Sequence, residues 1–152
     1  MKVRPCVVLS RSAENSSETE ILLLHYRYGN EDVYALPGGN PDKGENLPET
    51  IRRELQEELG LTVQVGPMLF CGEVILPEVK NDVLHTVFEG QIAAGTPTLN
   101  PAETTALRVV WKPLHELEGL NLYPNIGAEL CHWFMVDGAG PGYIGPIRQR
   151  YF

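Results

Sequence analysis

Leucine and isoleucine recur every fourth residue from Leu47 through Ile51 and Leu55 to Leu59. At the α-helical period this draws one apolar stripe along a helix that buries a single face. Both ends of that helix are marked. Asn46 can cap it, with Glu49 three residues on as the reciprocal partner of a capping box. Pro48 falls in the first turn, where the missing N–H is not needed. Gly60 stands where a left-handed residue ends a helix. The segment Asn46 to Leu59 is therefore expected to be helical.

The same helix carries Glu54, Glu57 and Glu58 at i, i+3 and i+4. These three share a face about 100° wide. Crowded carboxylates repel by amounts comparable to or above the usual ~0.2–0.5 kcal/mol helix pair. Glu58 also falls beside Leu47 and Ile51, at the edge of the apolar stripe, where it loses hydration. A hard divalent cation offsets both costs, since carboxylate oxygens are the ligands that Mg²⁺ takes. The neighbours suit this role. Gly38 and Gly39 permit close backbone approach and offer a carbonyl as a further ligand. Arg53 can orient Glu54 through a bidentate pair. Glu45 sits just before the helix, where negative charge is favoured, and can also partner Arg53. Seen singly, such glutamates usually form a solvated face, Gly-Gly after a strand is usually a turn, and an acid like Glu45 only marks a helix start. The combination is far more specific than its parts.

The rest of the chain reads as strands. Val7 to Leu9, Ile21 to Tyr28, Val33 to Leu36, Thr62 to Val65, Leu69 to Leu76, Val83 to Ala94 and Arg108 to Trp111 are β-branched, leucine-rich or aromatic runs. Ser12 to Glu20 and Asn40 to Gly44 read as loops. Pro113 to Leu117 reads as one helical turn, and Asn125 to Met135 as a last helix with Asn125 as its cap. Strands and two helices interleave irregularly, which implies an α/β sheet of mixed strand directions covered by helices. One domain, residues 1–137, is expected, followed by a Gly/Pro-rich tail, residues 138–152.

Composition narrows the function classes. The chain has 152 residues, 43% of them apolar, and a net charge of −8, which fits a folded domain and disfavours a nucleic-acid polymer as partner. A small anionic substrate remains compatible when divalent cations reverse the local charge. The cysteines, Cys6, Cys71 and Cys131, are isolated and odd in number, which argues against a disulfide framework or structural zinc and for a reducing compartment. The start lacks an apolar core of signal-peptide length, and no stretch approaches the ~20 apolar residues of a membrane span. A soluble, cytoplasmic protein without membrane partners is expected.

Gly39-x5-Glu45-x7-Arg53-Glu54-Leu55-x-Glu57-Glu58-x-Gly60-Leu61 matches the Nudix box at every defining position, over 23 residues. Leu36-Pro37-Gly38 before it and Trp111-Lys112-Pro113-Leu114-His115-Glu116-Leu117 downstream also resemble that family. The resemblance implies an α/β/α sandwich with a mixed sheet, in which the box forms a loop–helix–loop that holds Mg²⁺ or Mn²⁺. It implies Glu54, Glu57 and Glu58 as side-chain ligands, the Gly38 carbonyl as a backbone ligand and Arg53 as the group that orients Glu54. It implies attack of water on a phosphorus of a diphosphate, and often a further glutamate as base from a loop near the sheet end. Glu103 is the candidate, against a plain reading as an ordinary loop acid. Family members are frequently dimers, so a homodimer is a partner the resemblance allows.

Substrate marks are thinner. Pro77 lies 16 residues after Leu61, as in family members that cleave ADP-ribose. A proline there also suits any hairpin tip. Tyr26, Tyr28 and Tyr34 lie near the box and could stack a base, although at strand spacing such tyrosines are commonly sheet-face or core residues. A nucleoside diphosphate linked to another moiety, ADP-ribose first, is the leading substrate. Nucleoside triphosphates, including oxidised ones, come second. A silent nucleotide-binding regulatory module is the reading from another class. Gly140 to Gly145 matches GxGxxG but follows no strand and opens no helix, so it does not mark a dinucleotide fold.

Overall fold

In the computed structural model, which describes residues 1–136 and 142–150, the apolar runs become strands buried from both sides. Strands β1 (Lys2–Val8) and β3 (Thr19–Tyr28) show the reason. Successive side chains of a strand point to opposite faces. Val7 and Leu9 share one core with Leu22 and Leu24, while Cys6 and Val8 share another with Ile21 and Leu23. Both faces are covered, so the sequence reads as continuous apolar runs rather than as an alternation.

Helix α1 (Leu47–Leu59) is one cover, with Ile51, Leu55 and Leu59 fully buried in the first core. Its N-terminus is held by the expected capping box. The Asn46 side chain accepts the Glu49 N–H at 2.9 Å, and the Glu49 carboxylate accepts the Asn46 N–H at 3.2 Å. Gly60 ends the helix in the left-handed region at φ 66°. Helix α2 (Gly127–Met135) is the other cover, with Leu130 and Trp133 in the second core.

Between the helices lie two sheets. With β5 (Thr62–Val74), β6 (Val83–Ala94) and β9 (Gly142–Pro146), the first runs β1-β6-β5-β9; β1 is parallel to β6, β5 antiparallel to β6 and parallel to β9. With β2 (Ser10–Ser12), β4 (Glu31–Ala35), β7 (Arg108–Pro113) and β8 (Leu122–Tyr123), the second runs β2-β3-β4-β8, and β7 also pairs with β3. The α/β/α arrangement with mixed strand directions is the one the sequence implied. No helix among the described residues is long and apolar enough to cross a membrane.

Several local expectations are corrected. Residues 62–65 and 69–76 are not separate strands. β5 is continuous through Gly66-Pro67, and the ladder absorbs the proline by register shifts on either side of Met68. Asn125 does not cap α2. Ile126 holds that position without a side-chain bond, and the Asn125 amide donates to the Arg148 carbonyl at 2.7 Å. Part of the expected tail forms β9, beside β5. The boundary at residues 137 and 138, the start of the Gly140 to Gly145 pattern and residues 151–152 lie outside the described residues.

Candidate functional site

The loop from Pro37 to Gly39 is stitched to β1. Val7 N–H donates to the Pro37 carbonyl at 2.9 Å, and Gly39 N–H donates to the Pro5 carbonyl at 3.2 Å. A Cβ on Gly38 would lie 2.2 Å from the Pro5 oxygen, and one on Gly39 would lie 2.3 Å from the Glu54 carboxyl carbon. Only glycines let this backbone pass between β1 and the acidic face of α1. The loop main chain thereby lies against Glu54.

Arg53 organises the helix face. Its Nε and Nη2 donate to Glu45 at 2.7 and 3.1 Å, and Nη2 also donates to the Asn40 carbonyl at 3.0 Å. Its Nη1 donates to Glu54 at 3.0 Å and to Glu57 at 3.2 Å. Glu45 further accepts from the Asp42 N–H and the Thr50 hydroxyl. These bonds, that of Arg53 foremost, hold the Glu45 carboxyl down to about 2. Glu45 is thus the partner of Arg53, and the guanidinium ties the loop before the helix to two of its carboxylates.

Glu58 contrasts with this. It makes no side-chain hydrogen bond or ion pair among the described residues. Half-burial first, then the charge of Glu54, raises its carboxyl to about 7; Arg4 opposes the rise, while Glu57 and Glu103 add to it. Glu54 is raised chiefly by burial, against the pull of Arg53. Among the described residues no three acidic side chains converge into a ready cage. Arg53 draws Glu54 and Glu57 toward itself, and Glu58 stands unpaired. A donor set of hard oxygens with one half-buried, uncompensated carboxylate and an adjoining glycine backbone fits a hard divalent cation.

The loop carrying Glu103 is fastened to the end of α1. Thr98 N–H donates to the Leu59 carbonyl at 3.0 Å, and Asn100 N–H donates to the Glu58 carbonyl at 2.9 Å, filling acceptors that a helix end leaves open. The Asn100 side chain accepts from Ala102 N–H at 3.1 Å, and its carbonyl from Glu103 N–H at 2.9 Å. Glu103 is exposed, and its charge is felt at Glu58.

Beside this acidic face lies a cavity of about 430 Å³. Tyr26, Tyr28, Val33 and Ala35 form one wall; Arg4, Val74, Val83 and Tyr123 contribute to the rest. The rings of Tyr26 and Tyr28 lie 6.0 Å apart and nearly parallel. Burial raises the Tyr26 phenol most; its bond to Thr104 at 3.3 Å lowers it, and the Glu58 charge raises it further. Tyr26 therefore links the cavity to the acidic helix. Tyr34 lies away from this cavity. Val33 and Ala35 face the cavity, so Tyr34 between them turns the other way, where it stacks on His25 at 4.7 Å and lies under the Lys112 ammonium at 5.3 Å. The sequence reading missed Arg4, Tyr123, Gln149 and Arg150 in the lining. The signal for Arg4 was a basic residue in the first half of a strand that ends in the apolar run Cys6-Val7-Val8.

The family model described as NUDIX domain matches residues 4–134. Solved structures share the fold. A MutT protein from Methanosarcina mazei Go1 is 25% identical, with a TM-score of 0.61 over 78% of this chain and 81% of that one. An ADP-ribose pyrophosphatase from Streptococcus suis 89-1591 is 19% identical, with a TM-score of 0.64 over 95% and 97%. The NUDIX domain of Shewanella oneidensis NrtR, complexed with ADP ribose, is 15% identical, with a TM-score of 0.64 over 90% and 87%. The chain belongs to the Nudix domain family. Its enzyme class is accordingly that of a Nudix pyrophosphohydrolase.

Proposed function

We propose that this chain hydrolyses the diphosphate linkage of a nucleoside diphosphate joined to another moiety, with Mg²⁺ or Mn²⁺, and that an ADP-ribose-like molecule is its substrate. The observation that carries this reading is the unpaired, half-buried Glu58 beside a tyrosine-walled cavity on the same end of the fold. An acidic cleft alone repels a diphosphate. Cations held by Glu54, Glu57, Glu58 and the Gly38 carbonyl would reverse that field.

A divalent cation bound there supplies charge neutralisation for the phosphates and lowers the pKa of attacking water. The chain itself does the rest. Arg53 fixes the directions of Glu54 and Glu57. Glu103, on a loop clamped to the α1 carbonyls, receives the proton that water loses. Tyr26 and Tyr28 offer apolar faces to a base. Pro77 supports the choice of substrate by its position, since Leu76 and Val79, on either side of it, line the cavity. An ADP-ribose pyrophosphatase and a NUDIX domain complexed with ADP ribose among the fold relatives agree with that choice.

The test is a panel of ADP-ribose, other nucleoside diphosphate sugars, and ordinary and oxidised nucleoside triphosphates, each with Mg²⁺. ADP-ribose is expected to rank first and to yield AMP and ribose 5-phosphate. Triphosphates ranking above it would sink the substrate choice in favour of nucleotide pyrophosphohydrolysis. Binding without turnover under any divalent metal would favour a silent nucleotide-binding module.

A further inference from the structure

Arg4 stands in the first half of β1 and contributes to the cavity wall. Its guanidinium carbon lies 5.1 Å from the centre of the Tyr123 ring, so the aromatic face steadies the cation from one side. Its Nη1 is buried and has no hydrogen-bond partner among the described residues. A guanidinium has five donors and no acceptors, and a buried donor left unmatched is costly. Among the described residues no carboxylate takes it up as an ion pair, although its charge is felt at Glu54 and Glu58 on the acidic helix and at Tyr26 in the same cavity lining.

Its neighbours do not satisfy it. His85, across the β1–β6 ladder in register with Arg4, is fully buried, with both ring nitrogens unpartnered among the described residues. That ring is held neutral by burial and by Arg4 itself, and it meets Tyr123 edge-on at 4.9 Å. The position is thus an always-charged planar donor, backed by the Tyr123 ring, whose Nη1 meets no acceptor among the described residues. Its charge reaches the carboxylates that would hold a cation, and it lines the same cavity as the tyrosines that would hold a base. A phosphate presents the oxygen geometry that such a fork accepts.

We propose that Arg4 binds the phosphate ester joined to the nucleoside that lies in the tyrosine-walled cavity, and so makes the site selective for substrates carrying a phosphate at that place. This inference rests on the reading of the cavity as the substrate site. Arg4 orients one half of the diphosphate while the acidic helix serves the other. It need not touch the attacked phosphorus to do so.

The experiment uses the full chain in EDTA and compares binding of AMP, GMP, CMP and UMP with that of the matching nucleosides. The proteins are the wild type, Arg4→Met and Arg4→Lys, each checked for a cooperative thermal transition. The wild type should hold at least one monophosphate roughly 10- to 100-fold more tightly than its nucleoside. Arg4→Met should bring that ratio close to one. Arg4→Lys keeps the charge but not the planar fork, and should fall between. A wild type without preference for any monophosphate overturns the assignment, as does a folded variant that keeps the wild-type ratio. If Arg4→Met does not fold, Arg4→Lys decides: a ratio lowered about threefold or more supports the assignment, and an unchanged one overturns it. Turnover of the substrate panel is read separately. Failure of turnover with an Arg4-dependent ratio refutes the proposed reaction alone, and turnover with an Arg4-independent ratio refutes only the role of Arg4.

Discussion

Removing the charge of Glu58 should stabilise the metal-free protein and abolish its turnover. In the folded chain this carboxyl titrates at about 7, against 4.5 for an ordinary glutamate. A folded pKa above the unfolded one means that ionisation opposes folding. The penalty is absent below about 4.5, grows between the two values and is complete above about 7. The gap corresponds to about 3 kcal/mol. Glu58 is only half-buried, so solvent screening reduces this to about 1–2 kcal/mol. Glu58→Gln keeps the shape and removes the charge. In EDTA at pH 8 its melting temperature should exceed the wild type's by about 2–8 °C, at ~2–4 °C per kcal/mol for a chain of this size. At pH 4.5 the two proteins should melt together. Adding Mg²⁺ should then raise the wild type through mass action and leave the variant nearly unmoved, while turnover is lost. A variant that is no more stable than the wild type at pH 8, or whose kcat stays near the wild-type value, would refute the reasoning.

Glu103→Gln should slow kcat by ~10²–10⁴ without changing the melting temperature, since Glu103 is exposed; an unchanged rate removes it as the base. Gly39→Ala should lower kcat at least tenfold at near-normal secondary structure, because the new Cβ would fall 2.3 Å from the Glu54 carboxyl carbon; kinetics equal to wild type would show that the loop can move aside. His85 is buried and held neutral, titrating at about 3 through burial first and Arg4 second, so the unfolded chain binds its proton from about pH 6.5 downward and stability falls as the solution is acidified. Urea denaturation at pH 7 and pH 4.5 should show that His85→Asn escapes about 2–3 kcal/mol of the wild type's acid loss; equal losses in both proteins would count against a neutral buried ring.

What could be read from the chain was what local periodicity and short-range geometry control. The capping box of Asn46 and Glu49, the stripe from Leu47 to Leu59 and the stop at Gly60 lie within one helix, and all three hold. The pairing of Arg53 with Glu45 and Glu54 spans ten neighbouring residues and was legible for the same reason. The double-sided burial of β1 and β3 follows from apolar runs without alternation. Which face Tyr34 takes was not legible, because a strand aims neighbours at opposite faces and only the sheet decides which face meets the cavity. The continuity of β5 through Pro67 needed the partner strand that accommodates the shift.

The sequence by itself determined the family, the acidic helix and the chemistry that those carboxylates suit. The tertiary structure decided the cavity. Residues 4, 26, 123 and 149 come together from β1, β3, β8 and the segment after β9, and no spacing along the chain encodes that meeting. It also set the balance of charge at Glu58. The helical period put that carboxylate beside apolar residues, but its desolvation, its lack of a partner and the opposing pull of Arg4 arise only once distant strands close around it.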